Sequence, residues 1–314
     1  MALAYRPMLA TATDALPTGD EWAAEVKWDG IRAGALLVDG GLRLITRNGN
    51  DVTVAYPELA GLAASIGRDA LLDGEIVATD AAGNPSFERL QQRMHVRDQV
   101  AIARLADEIP VAYLSFDVLE LDGLPRVDET WHARRGALES LGVAGPCWQT
   151  PPVSVGGATT LFELTEARGL EGVVAKHVES RYEFGRRSRM WRKVKHFHTG
   201  DFVVGGYEPG TRGRANTIGA LLLGVYDGDT LVFAGEVGTG FTHATLAILH
   251  EALERIRRPT SPFAAGIMPP RGAVFVEPVI VVEVRFAHWT DAGVVRAPSF
   301  RGVRADIDPR SVER

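Results

Sequence analysis

The chain has 314 residues, of which 46% are hydrophobic and 24% charged, and its formal net charge is −6. The length predicts two domains, and the composition is that of a soluble globular protein. No apolar run of 18 residues predicts a membrane span, and the first residues lack the apolar core of a secretion signal. Cys147, the only cysteine, excludes an internal disulfide and a multi-cysteine zinc site, and it fits a reducing cytosol.

The first two-thirds of the chain mix strand and helix patterns. Strand patterns cover residues 34–49, with a hairpin turn at Asp39-Gly40, and residues 70–79, 111–123 and 171–177. Helix patterns cover residues 57–67, 128–142 and 160–169, and each stops at a glycine. This mixture predicts an α+β domain.

The pattern changes after about Lys195. Apolar or alternating runs at residues 201–210, 217–229, 230–241 and 278–290 predict successive antiparallel strands, and one helix pattern covers residues 242–256. Such a set suits a small barrel of the oligonucleotide-binding (OB) type. The expected hinge is the segment from Lys195 to Asp201.

Only four of the 34 basic residues are lysine, namely Lys27, Lys176, Lys193 and Lys195, and the others are arginine. A guanidinium stays protonated, whereas an amine can lose its proton and attack an electrophile. We therefore expect these lysines to perform chemistry that arginine cannot.

The first of these lysines lies in Lys27 to Arg32 (KWDGIR). A nucleophilic lysine needs a neutral amine, which nearby cations such as Arg32, Lys193, Lys195 or a bound metal would favour. Gly30 would let the backbone approach a phosphate, and Arg32 can bind a phosphate through two nitrogens.

Carboxylates and one aromatic residue could complete a site. Asp73-Gly74-Glu75 ends one apolar run and Glu171 begins another, and carboxylates at strand ends can bind a divalent cation or a ribose hydroxyl. Phe116 offers an aromatic face to a base. Each of these features alone is also typical of an ordinary turn or core position.

Basic residues are concentrated between Arg181 and Lys195, where seven face a single acid, Glu183. On an acidic chain this concentration predicts a site for a polyanion. A solvated arginine-rich turn is the alternative interpretation.

Taken in order, six segments resemble the motifs of the covalent nucleotidyltransferases, the superfamily of DNA ligases, RNA ligases and mRNA capping enzymes. They are KWDGIR, TRNG (46–49), LDGE (72–75), SFDVL (115–119), EGVVAK (171–176) and MWRKVK (190–195). Further segments are similar in particular to the ligase domain of bacterial multifunctional ligase D, a type that acts in non-homologous end joining. They are YRPMLAT (5–11), GALLLG (219–224), FAGEVGTGF (233–241) and VVEVRFAHWT (281–290).

The resemblance implies an ATP-grasp-like adenylation domain of antiparallel sheets and helices at residues 1–197, and an OB-fold β-barrel at residues 198–314. It implies that Lys27 carries AMP, that Glu75 meets the ribose and that Phe116 stacks on adenine. Glu171 and Glu75 would hold Mg²⁺ or Mn²⁺, and ATP would donate the AMP. The residues implied to contact the nucleotide are Glu25, Arg32, Arg47, Glu75, Phe116, Arg187, Lys193 and Lys195, the two lysines at the α-phosphate.

The final ligase motif usually reads RxDK, and here it is Arg304-Ala305-Asp306-Ile307. The resemblance implies that this lysine helps to orient the departing pyrophosphate, so its absence is expected to slow self-adenylation. Arg296, Arg301, Arg304 and Asp306 are the residues expected to contact DNA or pyrophosphate.

The predicted function is that of an ATP-dependent DNA ligase in repair by non-homologous end joining. The alternatives are an RNA ligase or capping-type enzyme, and a non-catalytic OB protein, which would not need Glu171. A single cysteine disfavours an NAD-dependent ligase, which typically carries a four-cysteine zinc module. The expected partners are nicked or broken double-stranded DNA, Ku and a polymerase/phosphoesterase module. We expect a monomer in the cytoplasm, associated with the nucleoid and not with a membrane.

Overall fold

The structure is a computed structural model of the chain. It describes residues 5–80, 83–210, 217–264, 267 and 269–314. Two compact units divide the chain, Met1–His196 and Phe197–Arg314. Residues 1–4, at the start of the segment in which we expected no secretion signal, lie outside the described residues.

The first unit combines β-sheets with short helices. Its strands are β1 (Leu9–Ala12), β2 (Trp22–Val26), β3 (Ile31–Val38), β4 (Gly41–Thr46), β5 (Ala70–Ala78), β6 (Val111–Leu121), β7 (Leu124–Pro125), β8 (Ala144–Gly145), β9 (Trp148–Gln149), β10 (Ser154–Val155), β11 (Gly172–His177) and β12 (Arg187–Lys195). Its α-helices are α1 (Leu62–Ile66), α2 (Phe87–Gln91), α3 (Gln99–Glu108), α4 (Trp131–Ser140) and α5 (Ala158–Ala167). No helix in the described ranges is long and apolar enough to cross a membrane.

These strands form two sheets within the described part of the unit. The order in one sheet is β1-β12-β11-β2-β10, and in the other it is β4-β3-β5-β6-β9-β8 with β7 beside β6. Most neighbours are antiparallel, but β1 runs parallel to β12 and β6 runs parallel to β9. Residues from both sheets, including Trp191 of β12 and Leu71 of β5, share one buried cluster. The sheets therefore pack face to face.

Local sequence signals explain several of these elements. The predicted hairpin is confirmed: β3 pairs with β4, and Asp39 and Gly40 turn with φ of 51° and 74°. Thr130 caps the start of helix α4, because its side chain accepts a hydrogen bond from the backbone N–H of Ala133. Helices α2 and α3 were not predicted, although Asp98 caps α3 in the same way.

One expectation about the carboxylates was wrong. Asp73-Gly74-Glu75 does not end a strand but lies inside β5, which pairs with β3 on one side and β6 on the other. The strand pattern expected at residues 70–79 is confirmed as β5, and it includes these polar residues. Asp73 and Glu75 are two residues apart on the strand, so both side chains point to the same face of the sheet.

The second unit is mainly β-structure. Its strands are β13 (His198–Pro209), β14 (Ile218–Asp227), β15 (Thr230–Val237), β16 (Arg257–Arg258), β17 (Val274–Phe286) and β18 (Ser299–Val303), and its helix is α6 (His243–Glu254). The strand order is β15-β14-β13-β17-β16, with β18 beside β17. The expected hinge is mostly strand, because β12 ends at Lys195 and β13 begins at His198.

The structure gives Gly30 a different purpose from the expected approach to a phosphate. A Cβ atom there would lie 2.2 Å from the carbonyl oxygen of Ile76 and 2.9 Å from Cγ of Glu75. The glycine therefore lets the segment after Lys27 lie directly against β5.

Gly30→Ala should consequently lower the free energy of unfolding by about 1–3 kcal/mol, the usual cost of forcing atoms into a packed region. Gly136→Ala is the matched control, because no atom lies within 4 Å of the added Cβ and the residue is exposed on α4. We expect that control to be neutral or stabilised by up to about 1 kcal/mol. Thermal denaturation measures both, and equal melting temperatures would contradict the packing role of Gly30.

Candidate active site

A cavity of about 210 Å³ is lined by residues from both sheets of the first unit. It brings together most of the residues that the sequence singled out. The predicted residues in its lining are Glu25, Lys27, Arg32, Arg47, Glu75, Phe116, Arg187 and Lys193. Glu171 and Lys195 are not in that lining but are joined to it by ion pairs with Lys27 and with each other.

Strand register explains why residues far apart in sequence meet here. Glu25 on β2 lies opposite Val174 on β11, which in turn lies opposite Lys193 on β12. In the other sheet, Arg32 on β3 lies directly opposite Glu75 on β5. Two rows of polar side chains, one from each sheet, therefore reach the same cavity.

Lys27 follows the end of β2, and its backbone N–H donates to the carbonyl of Gly172 at 2.9 Å. Its ammonium forms an ion pair with one carboxylate oxygen of Glu171, and the Lys195 ammonium lies 2.5 Å from the other oxygen. Burial would raise the pKa of Glu171, but the charges of the two lysines outweigh it and lower that pKa. Glu171 is thus held as a carboxylate between two amines.

The expected cations Lys193 and Lys195 do lie near Lys27, because the charge of Lys27 acts on Lys193 and Lys195 shares the Glu171 carboxylate. The structure adds a direct partner that the sequence did not predict, the carboxylate of Glu171. A nucleophilic role would require the Lys27 amine to part from this carboxylate.

A second ion pair is buried deeper in the cavity. Lys176 Nζ lies 2.7 Å from Glu25 Oε2, and it also lies 4.4 Å from the ring centroids of both Phe116 and Trp191. Burial raises the pKa of Glu25 and lowers that of Lys176, each opposed by the charge of the partner. Glu25 Oε1 is buried and accepts no hydrogen bond from the described residues. The pair therefore keeps hydrogen-bonding capacity for a bound group.

Arg32 is fixed by a fully buried carboxylate. Its Nε and Nη2 donate to the two oxygens of Asp73 at 3.0 and 2.6 Å. The hydroxyls of Tyr5 and Tyr182 donate to the same carboxylate at 2.8 and 2.5 Å. Burial would raise the pKa of Asp73, but Arg32 and these hydrogen bonds lower it. Asp73, expected at the cleft as a possible ligand, instead positions Arg32.

Glu75 is a buried carboxyl of this cavity whose pKa is strongly raised. Burial raises its pKa to about 8; Arg32 and Lys27 oppose the rise, while Asp73 and Glu171 add to it. The charge of Glu171 is close enough to act on Glu75. These two carboxyl groups could therefore bind one cation together. No group of three or more metal-binding side chains occurs among the described residues. Two carboxylates fit Mg²⁺ or Mn²⁺, because Mg²⁺ commonly binds one or two carboxylates plus substrate phosphates.

Among the residues that the structure describes, Lys193, Arg187 and Arg47 have no ion pair with a carboxylate as close as that of Lys27 with Glu171. Burial lowers the pKa of Lys193, and the charges of Lys27, Lys195 and Arg187 lower it further. Arg187 donates to the carbonyl oxygen of Ala10 at 2.5 Å, and Arg47 is exposed. This end of the cavity is therefore suited to a group with several negative charges.

The arginine-rich segment before Lys195 is largely a strand, β12, rather than a turn. Its pairing with β1 skips from Ser188 to Arg192, so Arg189, Met190 and Trp191 form an irregularity in the strand. Arg187 and Arg189 are exposed, and the guanidinium of Arg192 lies over the ring of Trp22 at 4.8 Å.

The remaining predicted residues belong to the second unit. Arg304 donates from Nε and Nη2 to the carboxylate of Asp306 at 3.0 and 2.8 Å. The Arg304 side chain lowers the pKa of Asp306 to about 2. Arg296 and Arg301 are exposed. Ile307, which stands where ligases usually have lysine, packs against the apolar core of this unit.

Comparison with known proteins identifies the family. A family model described as "ATP dependent DNA ligase domain" matches residues 7–195, and one described as "ATP dependent DNA ligase C terminal region" matches residues 214–307. The chain therefore belongs to the ATP-dependent DNA ligases. The resemblance predicted from the six motifs is confirmed, and so is the fold class of an adenylation domain followed by an OB-fold domain.

Individual relatives define the subgroup. The chain is 38% identical to the multifunctional non-homologous end joining DNA repair protein LigD of Mycobacterium tuberculosis, over 98% of this chain but 39% of that protein. DNA ligase C2 of Mycolicibacterium smegmatis is 33% identical, over 97% of this chain and 92% of that protein. A solved structure of mycobacterial DNA ligase D complexed with ATP and MES is 36% identical, with a TM-score of 0.58, covering 99% of this chain and 98% of that one. The chain thus spans about two fifths of the LigD relatives.

Sequence reasoning missed some residues of this cavity. The sequence marks Lys176 as one of only four lysines but predicts no specific contact for it. It also does not predict that Trp28 and Trp191 line the cavity. The scarcity of lysine was the signal available for Lys176. No local pattern marks the two tryptophans, because tryptophan is equally typical of a core.

The acidity of Glu75 gives a testable pH dependence. Its pKa in the folded protein is about 8, against an ordinary value of 4.5. The protonated side chain therefore stabilises the fold fully below about pH 4.5, and this contribution is lost as the pH rises to about 8. The melting temperature of the wild type, relative to Glu75→Gln, should fall across this window. Glu163→Gln, at an exposed position on α5, controls for the loss of a surface carboxylate. A flat profile for Glu75→Gln would contradict the raised pKa.

Proposed function

We propose that this chain seals nicks or breaks in duplex DNA through a covalent lysyl-AMP intermediate, with ATP as the AMP donor and Lys27 as the nucleophile. The adenylation domain would comprise residues 1–197 and the OB-fold domain residues 198–314. The position of Lys27 carries the proposal. Its amine reaches a cavity that also contains an aromatic face and a surplus of cations.

The cavity can receive a nucleotide in one orientation. The Phe116 ring would stack on adenine, as implied by the family, while Glu25 Oε1 accepts from the exocyclic amine and Lys176 donates to a ring nitrogen. Glu25 and Lys176 are both buried, so a base that did not hydrogen-bond to them would leave their polar atoms without a partner. Arg32 and Glu75, opposite each other on β3 and β5, would contact the ribose. The base, the sugar and the phosphates then lie in sequence towards Lys27, Lys193 and Lys195.

The proposed chemistry has three steps. The neutral amine of Lys27 attacks the α-phosphorus of ATP, a P–N bond forms, the nitrogen loses a proton, and the P–O bond to pyrophosphate breaks. An oxygen of the DNA 5′-phosphate then attacks the same phosphorus, the P–N bond breaks, lysine regains a proton, and AMP is left joined to the 5′-phosphate. Finally, the 3′-hydroxyl loses its proton and attacks the phosphorus of the DNA 5′-phosphate, and the bond to AMP breaks. Lys193 and Lys195 would stabilise the charge that develops on the α-phosphate.

A divalent cation would be held by Glu171 and Glu75. When bound, Mg²⁺ or Mn²⁺ would neutralise phosphate charge and compete with Lys27 for the Glu171 carboxylate. Glu171 is suited to this role because its lowered pKa keeps it ionised. Glu75 must lose its proton to become a ligand, so its contribution should strengthen as the pH approaches about 8.

The relatives named for non-homologous end joining support the corresponding process for this chain. We propose that it acts as a monomer on broken or nicked double-stranded DNA, together with Ku and a polymerase/phosphoesterase module. Its substrate would place it in the cytoplasm with the nucleoid. The arginine-rich strand β12 and the exposed Arg296 and Arg301 would contact DNA phosphates.

Lys27→Arg should abolish formation of the enzyme–AMP adduct, since a guanidinium retains charge but cannot attack. Incubation with radiolabelled ATP and Mg²⁺, followed by denaturing electrophoresis, measures the adduct. Arg104→Lys is the control, because it exchanges the same two residue types in the opposite direction at an exposed position on α3. This variant should be labelled like the wild type. A labelled Lys27→Arg variant would show that another residue carries the AMP.

All-DNA nicks should be sealed faster than all-RNA nicks, because membership of the DNA ligases implies recognition of a DNA duplex. Binding through phosphates should weaken with salt, with a log–log slope of about −0.9 for each phosphate contact. Nick sealing and binding titrations over a salt series test both points. Faster sealing of all-RNA duplexes would instead support the RNA-ligase alternative.

A further inference from the structure

In the second unit, the Arg304 guanidinium is surrounded by three carboxylates. Nε and Nη2 bind Asp306 side-on, while Nη1 donates to Asp201 Oδ1 at 3.2 Å and lies 3.6 Å from Glu283 Oε2. One positive charge thus faces three negative ones, which leaves a local charge of about −2. A guanidinium in this environment is poorly placed to attract the phosphates of a nucleotide.

The strands impose this arrangement. Asp201 on β13 lies directly opposite Glu283 on β17, and like charges in that relation destabilise a sheet. The backbone N–H of Arg304 donates to the carbonyl of Val281 at 2.8 Å, so its side chain starts beside this pair. Arg304 therefore neutralises a repulsion that the strand register creates.

The two groups of carboxylates differ in their tie to Arg304. Asp306 is only two residues away and binds the guanidinium through two hydrogen bonds, so it can travel with it. Asp201 and Glu283 are fixed on β13 and β17. If the guanidinium turns towards another anion, it keeps Asp306 and leaves the strand carboxylates behind.

We propose that Asp201 and Glu283 hold Arg304 in a resting position that it must leave before it can bind the pyrophosphate part of ATP during AMP loading. The proposal rests on the proposed function and on the expectation, implied by the ligase resemblance, that Arg304 contacts pyrophosphate. The strand carboxylates are then positioning residues that restrain one step, and they do not touch the substrate.

Removing one strand carboxylate should therefore speed AMP loading. The Arg304 side chain is 32% exposed, so each ion pair is partly screened, and the expected increase is about two- to five-fold for Asp201→Asn or Glu283→Gln. The increase should shrink at high salt, which screens the pairs in the wild type. Sealing of nicks by enzyme that already carries AMP should not change, because no pyrophosphate leaves in that reaction.

The experiment measures single-turnover AMP loading with labelled ATP and Mg²⁺ in the full chain. Glu277→Gln is the matched control, since Glu277 lies on the same strand, is exposed and pairs with Arg258 instead. Each substitution is repeated in an Arg304→Ala background, where neither strand carboxylate should affect the rate. Melting temperatures are recorded for every variant. Arg304→Ala should be destabilised by the unneutralised pair, and adding Asp201→Asn should restore its stability.

Faster loading by Asp201→Asn and Glu283→Gln, absent without Arg304, supports the resting position. Rates equal to those of Glu277→Gln overturn it, and slower loading with normal melting overturns it in favour of carboxylates that orient Arg304 for the reaction. If Asp201→Asn melts early, Glu283→Gln alone decides. Failure of the proposed function is distinguishable, because the wild type would then form no AMP adduct at all.

Discussion

The buried carboxylate of Asp73 is the interaction on which the cavity depends. It accepts hydrogen bonds from Arg32 on β3 of its own sheet and from Tyr5 and Tyr182, which flank strands of the other sheet. An ionised carboxylate without partners in such a place would be strongly destabilising, and breaking a buried pair typically costs about 3–5 kcal/mol. If the two sheets separated or slipped past one another, Asp73 would lose these hydrogen bonds and the fold would be destabilised by this amount.

That constraint sets the positions of the groups around the proposed nucleotide. The guanidinium carbon Cζ of Arg32 lies 5.3 and 5.5 Å from the ring centroids of Phe116 and Trp191. The same two rings bracket the Lys176 ammonium, whose carboxylate partner comes from β2. An ammonium fits between two rings as a compact charge, whereas a guanidinium is a broad planar group. This offers a physical reason for lysine at position 176 in a chain that otherwise prefers arginine.

The sequence predicts these features unevenly, for reasons that lie in distance along the chain. Lys27 could be found because the amine, the glycine and the arginine of its chemistry lie within six residues. The role of Asp73 could not, because it depends on Tyr182, a residue 109 positions away, and on the packing of two sheets. The partner of Lys176 is set by the pairing of β11 with β2, and the carboxylates around Arg304 by the register of β13 with β17. Short motifs therefore identify reactive side chains, and the strand register decides what each of them touches.

The phosphate end of the cavity has more positive than negative charges, and the negative charges of bound ATP would balance them. Glu171 compensates Lys27 and Lys195 together with a single charge, while Lys193 and Arg187 add two more cations nearby. The lowered pKa of Lys193 expresses that crowding together with its burial. A polyphosphate would reverse the effect of the neighbouring cations by supplying anions to all of them. Because the strands fix these side chains before any ligand arrives, little reorganisation is needed when charge develops at the α-phosphate, which is the condition under which preorganised cations lower a reaction barrier most.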